Sequence, residues 1–247
     1  MPDLSPEITL IEQARQAFEE QITVLAHDLA SPLARIINCL QLSKDLLATQ
    51  ELSAIPQLLD IALNSAQTQL QNVELLQDIT RLANGMKKPP LGDARLAPAL
   101  DQALAMLQGL LTESEANYSA DLPLGLPATC ADEMWLTRIC FVLLDNALRH
   151  VPKGGTVRVT ACHENDTIRV CVADNGRGVP EEHRARIFDK FYRVPSSPLR
   201  GRRGMGLGLT FAKLALEGYG GSLWLESPAE GGATFCFRLP VNREASL

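Results

Sequence analysis

Two glycine-rich stretches in the second half of the chain constrain its fold more than any other feature. Asp174-Asn-Gly-Arg-Gly178 follows an apolar run typical of a buried strand, and Gly204-Met-Gly-Leu-Gly208 leads into a run with helical periodicity. Glycine lets a flat ligand approach the bare backbone, and amide groups at a helix N-terminus bind phosphate oxygens. Neither GxxxxGKS/T nor GxGxxG occurs, so the sequence predicts a nucleotide site that is neither a P-loop nor a Rossmann site.

Three polar residues complete this predicted site. The Asp174 carboxylate, at the end of the strand, suits the amino group of adenine, which donates hydrogen bonds. Asn146, in the helix-like run at residues 143–149, offers an amide oxygen that can coordinate Mg²⁺, and Arg149 shares its helix face, where it can meet a phosphate. An ordinary Asn-Gly turn at Asp174 and a buried amide at Asn146 are the alternatives. The order of the motifs favours ATP.

The segment between the glycine stretches is rich in arginine, proline and serine over residues 186–203. In an acidic protein this local positive charge suits a mobile lid over a triphosphate, with Lys190 and Arg193 as phosphate contacts. A solvated loop whose arginines bind nothing is the alternative.

An acceptor for a phosphoryl group is predicted near the N-terminus, at His27. At 100° per residue His27 points about 160° away from the apolar positions Leu25 and Leu29, so it should face water. Its imidazole is mostly neutral at pH 7 and nucleophilic at one nitrogen, and Asp28 can fix the tautomer. Pro32 cannot donate to the carbonyl of Asp28, so the helix should bend after His27 and admit a donor domain. An idle surface histidine is the alternative.

The composition excludes several classes of protein. A net charge of −6 and a pI near 5.3 argue against nucleic-acid binding, which relies on cations that neutralise phosphates. No apolar run approaches the roughly 20 residues of a membrane span, and no signal peptide is recognisable, so we expect a cytoplasmic protein. The six cysteines show no CxxC pair and should be buried free thiols. His150, His163 and His183 lack metal-ligand spacing.

Periodicity predicts a fold of class α+β with two domains. Two long helices, at residues 8–47 and 56–83, form a hairpin in the domain at residues 1–86. Each helix has one apolar stripe that a hairpin alone buries poorly, so we predict a homodimer with a four-helix bundle. After the Lys-Lys-Pro-Pro linker, residues 91–247 should form an α/β sandwich with mostly antiparallel strands. Its helices are expected at residues 97–111, 132–150 and 207–219, and its strands at 117–122, 156–162, 167–173, 222–226 and 233–239.

Together these motifs resemble those of sensor histidine kinases of bacterial two-component systems, over nearly the whole chain. The run from His27 through Ser31 to Pro32 resembles the family's H-box, and Asn146 resembles the metal-binding asparagine of its N-box. The remaining boxes follow in the family's order: Asp174, Gly176 and Gly178 match the G1 box, residues 188–193 the F-box, and Gly204, Gly206 and Gly208 the G2 box.

This resemblance implies a dimerisation and phosphotransfer hairpin joined to a Bergerat-type ATP-binding domain. It implies that the γ-phosphoryl group of MgATP moves to His27 and then to an aspartate on the receiver domain of a response regulator. Asp28 would be the general base, and Ser31 would orient water for dephosphorylating that regulator. Because fewer than 30 residues precede His27, the input signal is expected from a separate sensor partner or from a region outside this sequence.

The sequence departs from the family's pattern at Val142, Ala30 and His150. Val142 stands one helical turn before Asn146, where the family usually has a polar residue, and we expect it to slow autophosphorylation. It leaves open a non-catalytic ATP-binding dimer that serves as a scaffold for a response regulator. A phosphotransferase that no longer binds ATP is a further alternative. The intact glycine boxes disfavour it. A gyrase-type ATPase is disfavoured, because its catalytic glutamate would occupy the place of Val142.

Overall fold

The computed structural model describes residues 5–50, 52–194, 205–226 and 231–242. Its chain divides into two compact units, Met1–Leu76 and Gln77–Leu247. The second unit therefore includes the last turns of the second long helix as well as the α/β region. The predicted functional boundary at residues 86–91 stays a prediction.

The first unit is built from two long helices, as the periodicity predicts. Helix α1 spans Ser5–Thr49 and continues through Pro32, and helix α2 spans Ile55–Ala83. The chain reverses at Gln50, which has a φ of 60°, and a 3-10 turn at Leu52–Ala54 follows. The bend that we expect after His27 stays a prediction.

Small side chains are buried in this hairpin. Cys39 and Ala62 are 7% and 6% exposed. The buried hydroxyl of Ser43 donates to the carbonyl of Cys39 at 2.8 Å, so it needs no partner on the other helix. A direct link between the helices is made by Gln69, whose Nε2 donates to the carbonyl of Leu29 at 3.2 Å.

The same helices leave a large apolar surface uncovered. Leucines and isoleucines on both helices are between 42% and 61% exposed: Ile22, Leu33, Ile37, Leu40, Leu42, Leu47, Leu59, Ile61, Leu63 and Leu70. Exposed apolar surface on this scale is typical of an interaction site.

The C-terminal end of α2 is fixed within the second unit. Its last turn closes at Gly85, which has a φ of 65°, and Met86 N–H donates to the carbonyl of Arg81 at 2.9 Å, as in a Schellman motif. One turn earlier, the Asp78 carboxylate accepts from Lys87 Nζ at 2.9 Å and from Arg138 Nη1 at 2.7 Å. We call Asp78, Lys87 and Arg138 the Asp78 cluster.

Replacing Asp78 by alanine is expected to destabilise the second unit by about 2 kcal/mol, because two half-buried cations lose their shared acceptor. Burial alone would raise the Asp78 pKa, but hydrogen bonds and charges from Lys87 and Arg138 outweigh it and hold the pKa below its usual range. The stabilisation is therefore complete above the unfolded pKa of about 4 and is lost as the pH falls through the folded pKa.

Urea unfolding of the wild type and of Asp78→Ala measures this effect, with the exposed Asp93→Ala as the matched control. The difference in unfolding free energy should be present at pH 7 and should shrink below about pH 4. Equal midpoints for the wild type and Asp78→Ala at pH 7 would show that the cluster contributes nothing.

The second unit is a five-stranded sheet with helices packed against it. Its strands are β1 (Asn117–Asp121), β2 (Thr156–Glu164), β3 (Thr167–Asp174), β4 (Ser222–Glu226) and β5 (Ala233–Pro240). Their order is β1-β2-β3-β5-β4, and only the β1–β2 pair is parallel. The helices are α3 (Leu96–Met106), α4 (Gln108–Ser114), α5 (Glu133–His150), α6 (Glu181–Arg184) and α7 (Gly208–Gly218). The predicted α+β fold class is confirmed.

The core lies between the sheet and helices α5 and α7. Asp132 caps α5, because its carboxylate accepts from the backbone of Met134 and Trp135 at 3.0 and 3.2 Å. Leu143 on α5 and Phe211 on α7 are both 0% exposed. On β3 every second residue is buried, from Ile168 to Asp174. Strand alternation therefore turns the Asp174 carboxylate toward the helical layer.

The expected single helix at residues 97–111 is wrong. It is divided into α3 and α4 at Leu107, which has a ψ of 9° and donates its N–H to the carbonyl of Leu104 at 3.0 Å. Gly109 follows two residues later and weakens helical continuity. The buried side chain of Leu107 fixes the break by packing.

The expectation of free thiols is wrong for two of the six cysteines. Cys171 on β3 and Cys236 on β5 form a disulfide. They are directly opposite one another in the antiparallel register. Cys39, Cys130, Cys140 and Cys162 are free. Spacing in the sequence could not reveal a pairing that depends on strand register.

None of the helices, over the residues described, combines the length and the apolar character needed to cross a membrane.

Candidate functional site

The end of β3 places one carboxylate in a largely apolar layer. Asp174 is 6% exposed, and its Oδ1 accepts from Gly176 N–H at 2.8 Å. Burial raises the pKa of Asp174, although hydrogen bonds from the backbone of Gly176 and Ala233 oppose this. The buried carboxylate is thus an acceptor of high basicity, and its remaining lone pairs can bind a donor on a ligand.

Gly176 lies against the C-terminal end of α5. A Cβ at this position would be 2.5 Å from the carbonyl oxygen of His150 and 2.8 Å from Asp174 Oδ1, so no larger residue fits. Burial, followed by the charges of Arg177 and Arg149, lowers the pKa of His150 to about 4. Its imidazole is therefore neutral at pH 7. The loop after β3 and the last turn of α5 thus meet beside Asp174.

Two further predicted site residues lie on α5. Asn146 is half-buried, between the buried positions Leu143 and Ala147. Arg149 Nε donates to Asp145 Oδ2 at 2.8 Å, one turn earlier on the same helix. This ion pair neutralises Arg149 in the structure, so a phosphate would have to compete with Asp145 for it.

The second glycine stretch meets α5 at the start of α7. A Cβ on Gly208 would lie 3.2 Å from Val142 Cγ1. Val142, which departs from the family's pattern, therefore faces the N-terminus of α7, where we predict that phosphate binds. Gly206 has a φ of 68°, and a Cβ there would be 2.7 Å from the carbonyl oxygen of Tyr192. Helix α7 starts without a side-chain cap, which leaves its first amide groups available. Gly204 lies outside the described residues.

The segment after α6 is attached to α7 by specific contacts. Thr210, which is 5% exposed, donates its hydroxyl to the carbonyl of Phe188 at 2.9 Å. Phe191 N–H donates to the carbonyl of Gly206 at 3.1 Å. Arg193 Cγ lies 3.2 Å from the position that a Gly206 Cβ would take. Lys190 is exposed. The rest of the predicted lid, residues 195–203, lies outside the described residues.

The proposed acceptor is carried by α1. His27 and Asp28 belong to this helix, but their side chains lie outside the part of the chain that is described. Ser31 is exposed and stands four residues after His27, one helical turn along the same face.

The structure thus brings one group of predicted residues together. Asp174 and Gly176 meet the end of α5, and Gly206 and Gly208 meet Arg193 and Val142 respectively. Sequence reasoning missed two contributors. Thr210 was hidden because its role depends on a backbone carbonyl 22 residues away. His150 received no role, although its position directly after Arg149 placed it beside the predicted site.

Comparison with known proteins identifies the domain that contains these residues. The family described as "Histidine kinase-, DNA gyrase B-, and HSP90-like ATPase" matches residues 131–243. An adaptive-response sensory kinase SasA from Nostoc sp. is 29% identical over 260 residues, which cover 96% of this chain and 63% of the relative. A SasA from Synechococcus sp. is 29% identical over 94% of this chain and 59% of the relative. The chain thus spans less than two thirds of the length of these curated relatives.

Solved structures show the same fold. Histidine kinase AdeS of Acinetobacter baumannii is 17% identical, with a TM-score of 0.66, over 88% of this chain and 98% of that one. Full-length ShkA in complex with AMPPNP is 24% identical, with a TM-score of 0.63, over 76% of this chain and 39% of that one. Residues 131–243 therefore match the family of histidine kinase-, DNA gyrase B- and HSP90-like ATPases, and the resemblance of the chain to sensor histidine kinases is confirmed.

Proposed function

We propose that this chain is an ATP-dependent protein histidine kinase, which phosphorylates His27 and passes the phosphoryl group to an aspartate on the receiver domain of a response regulator. The observation that carries the proposal is the buried Asp174 carboxylate, held at the end of β3 by Gly176 N–H inside the matched ATPase domain. The SasA relatives, named as sensory kinases, support the same activity.

The nucleotide is held by contacts of three kinds. The Asp174 carboxylate accepts from the adenine amino group, and Gly176 and Gly178 allow the loop after β3 to pack closely against His150 and Gly232. Amide groups at the start of α7 bind phosphate oxygens, because four N–H groups at a helix N-terminus lack intrahelical partners. Phosphate contacts are assigned to Arg149, Lys190, Arg193, Gly204, Gly206 and Gly208.

The donor set suits Mg²⁺. Asn146 offers a neutral amide oxygen from a half-buried position on α5, and the neighbouring Asp145 is paired with Arg149. A hard cation with one protein oxygen, phosphate oxygens and water is the usual arrangement for Mg²⁺ bound with a nucleotide. When bound, the ion neutralises charge on the phosphates. Asn146 would hold the ion with its amide oxygen.

The acceptor is the neutral imidazole of His27. Asp28 accepts the proton of one ring nitrogen and leaves the other nitrogen nucleophilic. Attack on the γ-phosphorus forms an N–P bond as the bond to ADP breaks. Phosphoryl transfer depends mainly on positioning and charge neutralisation, so the residues above supply what the reaction requires. Ser31, exposed one turn after His27, would orient water in the reverse, dephosphorylating activity on the regulator.

A second copy of the chain is the partner that best covers the hairpin. Its exposed leucines and isoleucines occur on both helices, and two such hairpins can bury them in a four-helix bundle. In a homodimer, the second hairpin would therefore bury the apolar side chains that one hairpin leaves exposed. The receiver domain of the regulator is the second partner. A cytoplasmic location stays a prediction from the sequence.

Val142 is the observation that favours the alternative, a non-catalytic ATP-binding scaffold for a response regulator. Its apolar side chain faces Gly208 at the start of α7, where the family usually places a polar residue. The change removes a hydrogen-bonding group but leaves Asp174 and the glycine boxes in place.

The experiment is incubation of the purified chain with γ-labelled ATP and Mg²⁺, followed by addition of purified receiver domains. The expected result is acid-labile, alkali-stable label on the chain that is then lost to one receiver domain, and EDTA should prevent labelling. Nucleotide binding without phosphohistidine, even after long incubation, would favour the scaffold and contradict the kinase.

A further inference from the structure

We infer that Cys171 and Cys236 form a reversible thiol–disulfide pair whose oxidation state sets the nucleotide affinity of the Asp174 site. The inference rests on the proposed function only for its nucleotide readout. The pair itself is defined by strand register, since Cys171 on β3 stands opposite Cys236 on β5.

The two sulfur atoms differ in their access to reagents. Cys171 is half-buried, whereas Cys236 is 0% exposed. Both side chains lie on the face of the sheet that points away from the helices, because the alternate residues Val170 and Val172 are buried against the helical layer. A cavity of about 350 Å³ on this outer face is lined by Thr160, Cys162, Arg169, Cys171, Glu226 and Thr234. A small thiol can therefore reach the sulfur of Cys171 and leave that of Cys236 protected.

Arginines and carboxylates both stand beside the pair. Arg169 on β3 and Arg238 on β5 each lie two residues from one of the cysteines, on the same face of the sheet. Arg169 donates to Glu226 at 2.7 Å, and Arg238 donates to Glu164 at 3.2 Å. The Nε atom of Arg169 is nevertheless buried without a hydrogen-bond partner among the described residues. This N–H is a donor on the same face as Cys171, whereas the Glu226 carboxylate, with an oxygen within 4.8 Å of both sulfur atoms, opposes formation of a thiolate.

The exchange balances with a low-molecular-weight disulfide as oxidant. The Cys171 thiolate attacks that disulfide, one small thiolate leaves, and a mixed disulfide forms on Cys171. Cys236 gives up its proton and attacks the Cys171 sulfur, which expels the second small thiolate and forms the bond between the strands. Two electrons pass to the oxidant, and the protons of the two cysteines end on the two thiols released.

The same two strands hold the adenine-binding carboxylate. Asp174 stands opposite Ala233 in the register, three pairs beyond Cys171 and Cys236. The Ala233 backbone also donates a hydrogen bond to the Asp174 carboxylate. In the oxidised form a covalent bond fixes β3 against β5 close to this contact. Reduction removes this covalent link and leaves only the pairing of β3 with β5 to hold the contact, so the site is less preorganised.

The first measurement determines whether the pair is reversible. The protein is freed of metal with a chelator, because Cys171, Cys236 and Glu226 could hold a cation with ligand atoms within 4.8 Å of one another. It is then equilibrated in glutathione buffers of increasing oxidised fraction, alkylated and analysed by peptide mass spectrometry. Cys171 and Cys236 should pass together from two thiols to one disulfide. A pair that stays fully reduced or fully oxidised in every buffer would overturn the inference.

The second measurement is the Kd of a fluorescent ATP analogue for the two forms. The Kd should be about threefold larger after reduction, as expected when a binding site loses preorganisation. Cys162→Ser removes the free thiol on β2 and is the matched control, which should keep the redox effect, whereas Cys171→Ser should abolish it. The comparison of the two wild-type forms needs no variant, and equal Kd values would overturn the coupling. Absence of binding in both forms would refute the nucleotide site itself, while the alkylation result would still decide whether the pair is reversible.

Discussion

Replacing His27 by glutamine should abolish acid-labile phosphorylation of the chain, a loss of more than about a hundredfold, because glutamine has no nucleophilic nitrogen to form the N–P bond. The affinity for ATP should be unchanged, since His27 belongs to α1 and the nucleotide contacts that we propose lie beyond residue 145. Labelling with γ-labelled ATP measures the first effect, and titration with a fluorescent nucleotide measures the second.

The matched control is His163→Gln, which removes an exposed histidine on β2 and should leave labelling intact. Label that persists in His27→Gln at the wild-type level would mean that the phosphoryl group is accepted elsewhere. A parallel loss of nucleotide binding would instead show that the substitution damages the fold.

Replacing Asp174 by asparagine should weaken ATP binding by about 10-fold to 100-fold, the effect of losing a hydrogen bond to a charged acceptor. The asparagine keeps the shape of the side chain, but its amide can present a donor to the adenine amino group. Guanine carries a carbonyl oxygen at the corresponding position, so the variant should also discriminate less between ATP and GTP. Isothermal titration with both nucleotides measures the affinity and the selectivity.

The pH dependence of ATP binding gives an independent check on Asp174. Burial raises its pKa, and the protonated form loses acceptor capacity for the adenine amino group. Wild-type affinity should therefore fall as the pH decreases through this raised pKa, and Asp174→Asn should not show that component. Asp121→Asn, at the exposed end of β1, is the control. Unchanged affinity and selectivity in Asp174→Asn would remove Asp174 from the adenine site.

Sequence patterns predicted most of the fold because each element carries its own periodicity. The stripe of α1 and α2, the capped start of α5 at Asp132 and the glycine that ends α2 are local signals. Features that depend on tertiary packing were not predictable. The division between α3 and α4 at the buried Leu107 and the pairing of Cys171 with Cys236 both require partners distant in sequence.

In the candidate site, too, local sequence motifs were predictable and contacts between distant residues were not. Asp174 and Gly176 were identified from one short motif, and strand alternation explains why the carboxylate is directed to the helical layer. Arg149 was proposed as a phosphate contact, and in the structure it is paired with Asp145, one turn earlier on α5. The sequence allows both partners for Arg149 and could not show which of them it contacts. The role of Thr210 in anchoring the segment at Phe188 likewise depends on a contact between elements. The catalytic assignments of His27, Asp28 and Ser31 stay predictions.

Direct localisation of the phosphoryl group tests the central claim, that an ATP molecule held at Asp174 phosphorylates His27. The wild-type chain is incubated with MgATP, digested at neutral to alkaline pH and analysed by tandem mass spectrometry with fragmentation that preserves phosphohistidine. The account predicts phosphohistidine at His27 in the wild type and a large loss of it, at subsaturating ATP, in Asp174→Asn. Phosphate on a different residue, or none at all with nucleotide bound, would contradict it.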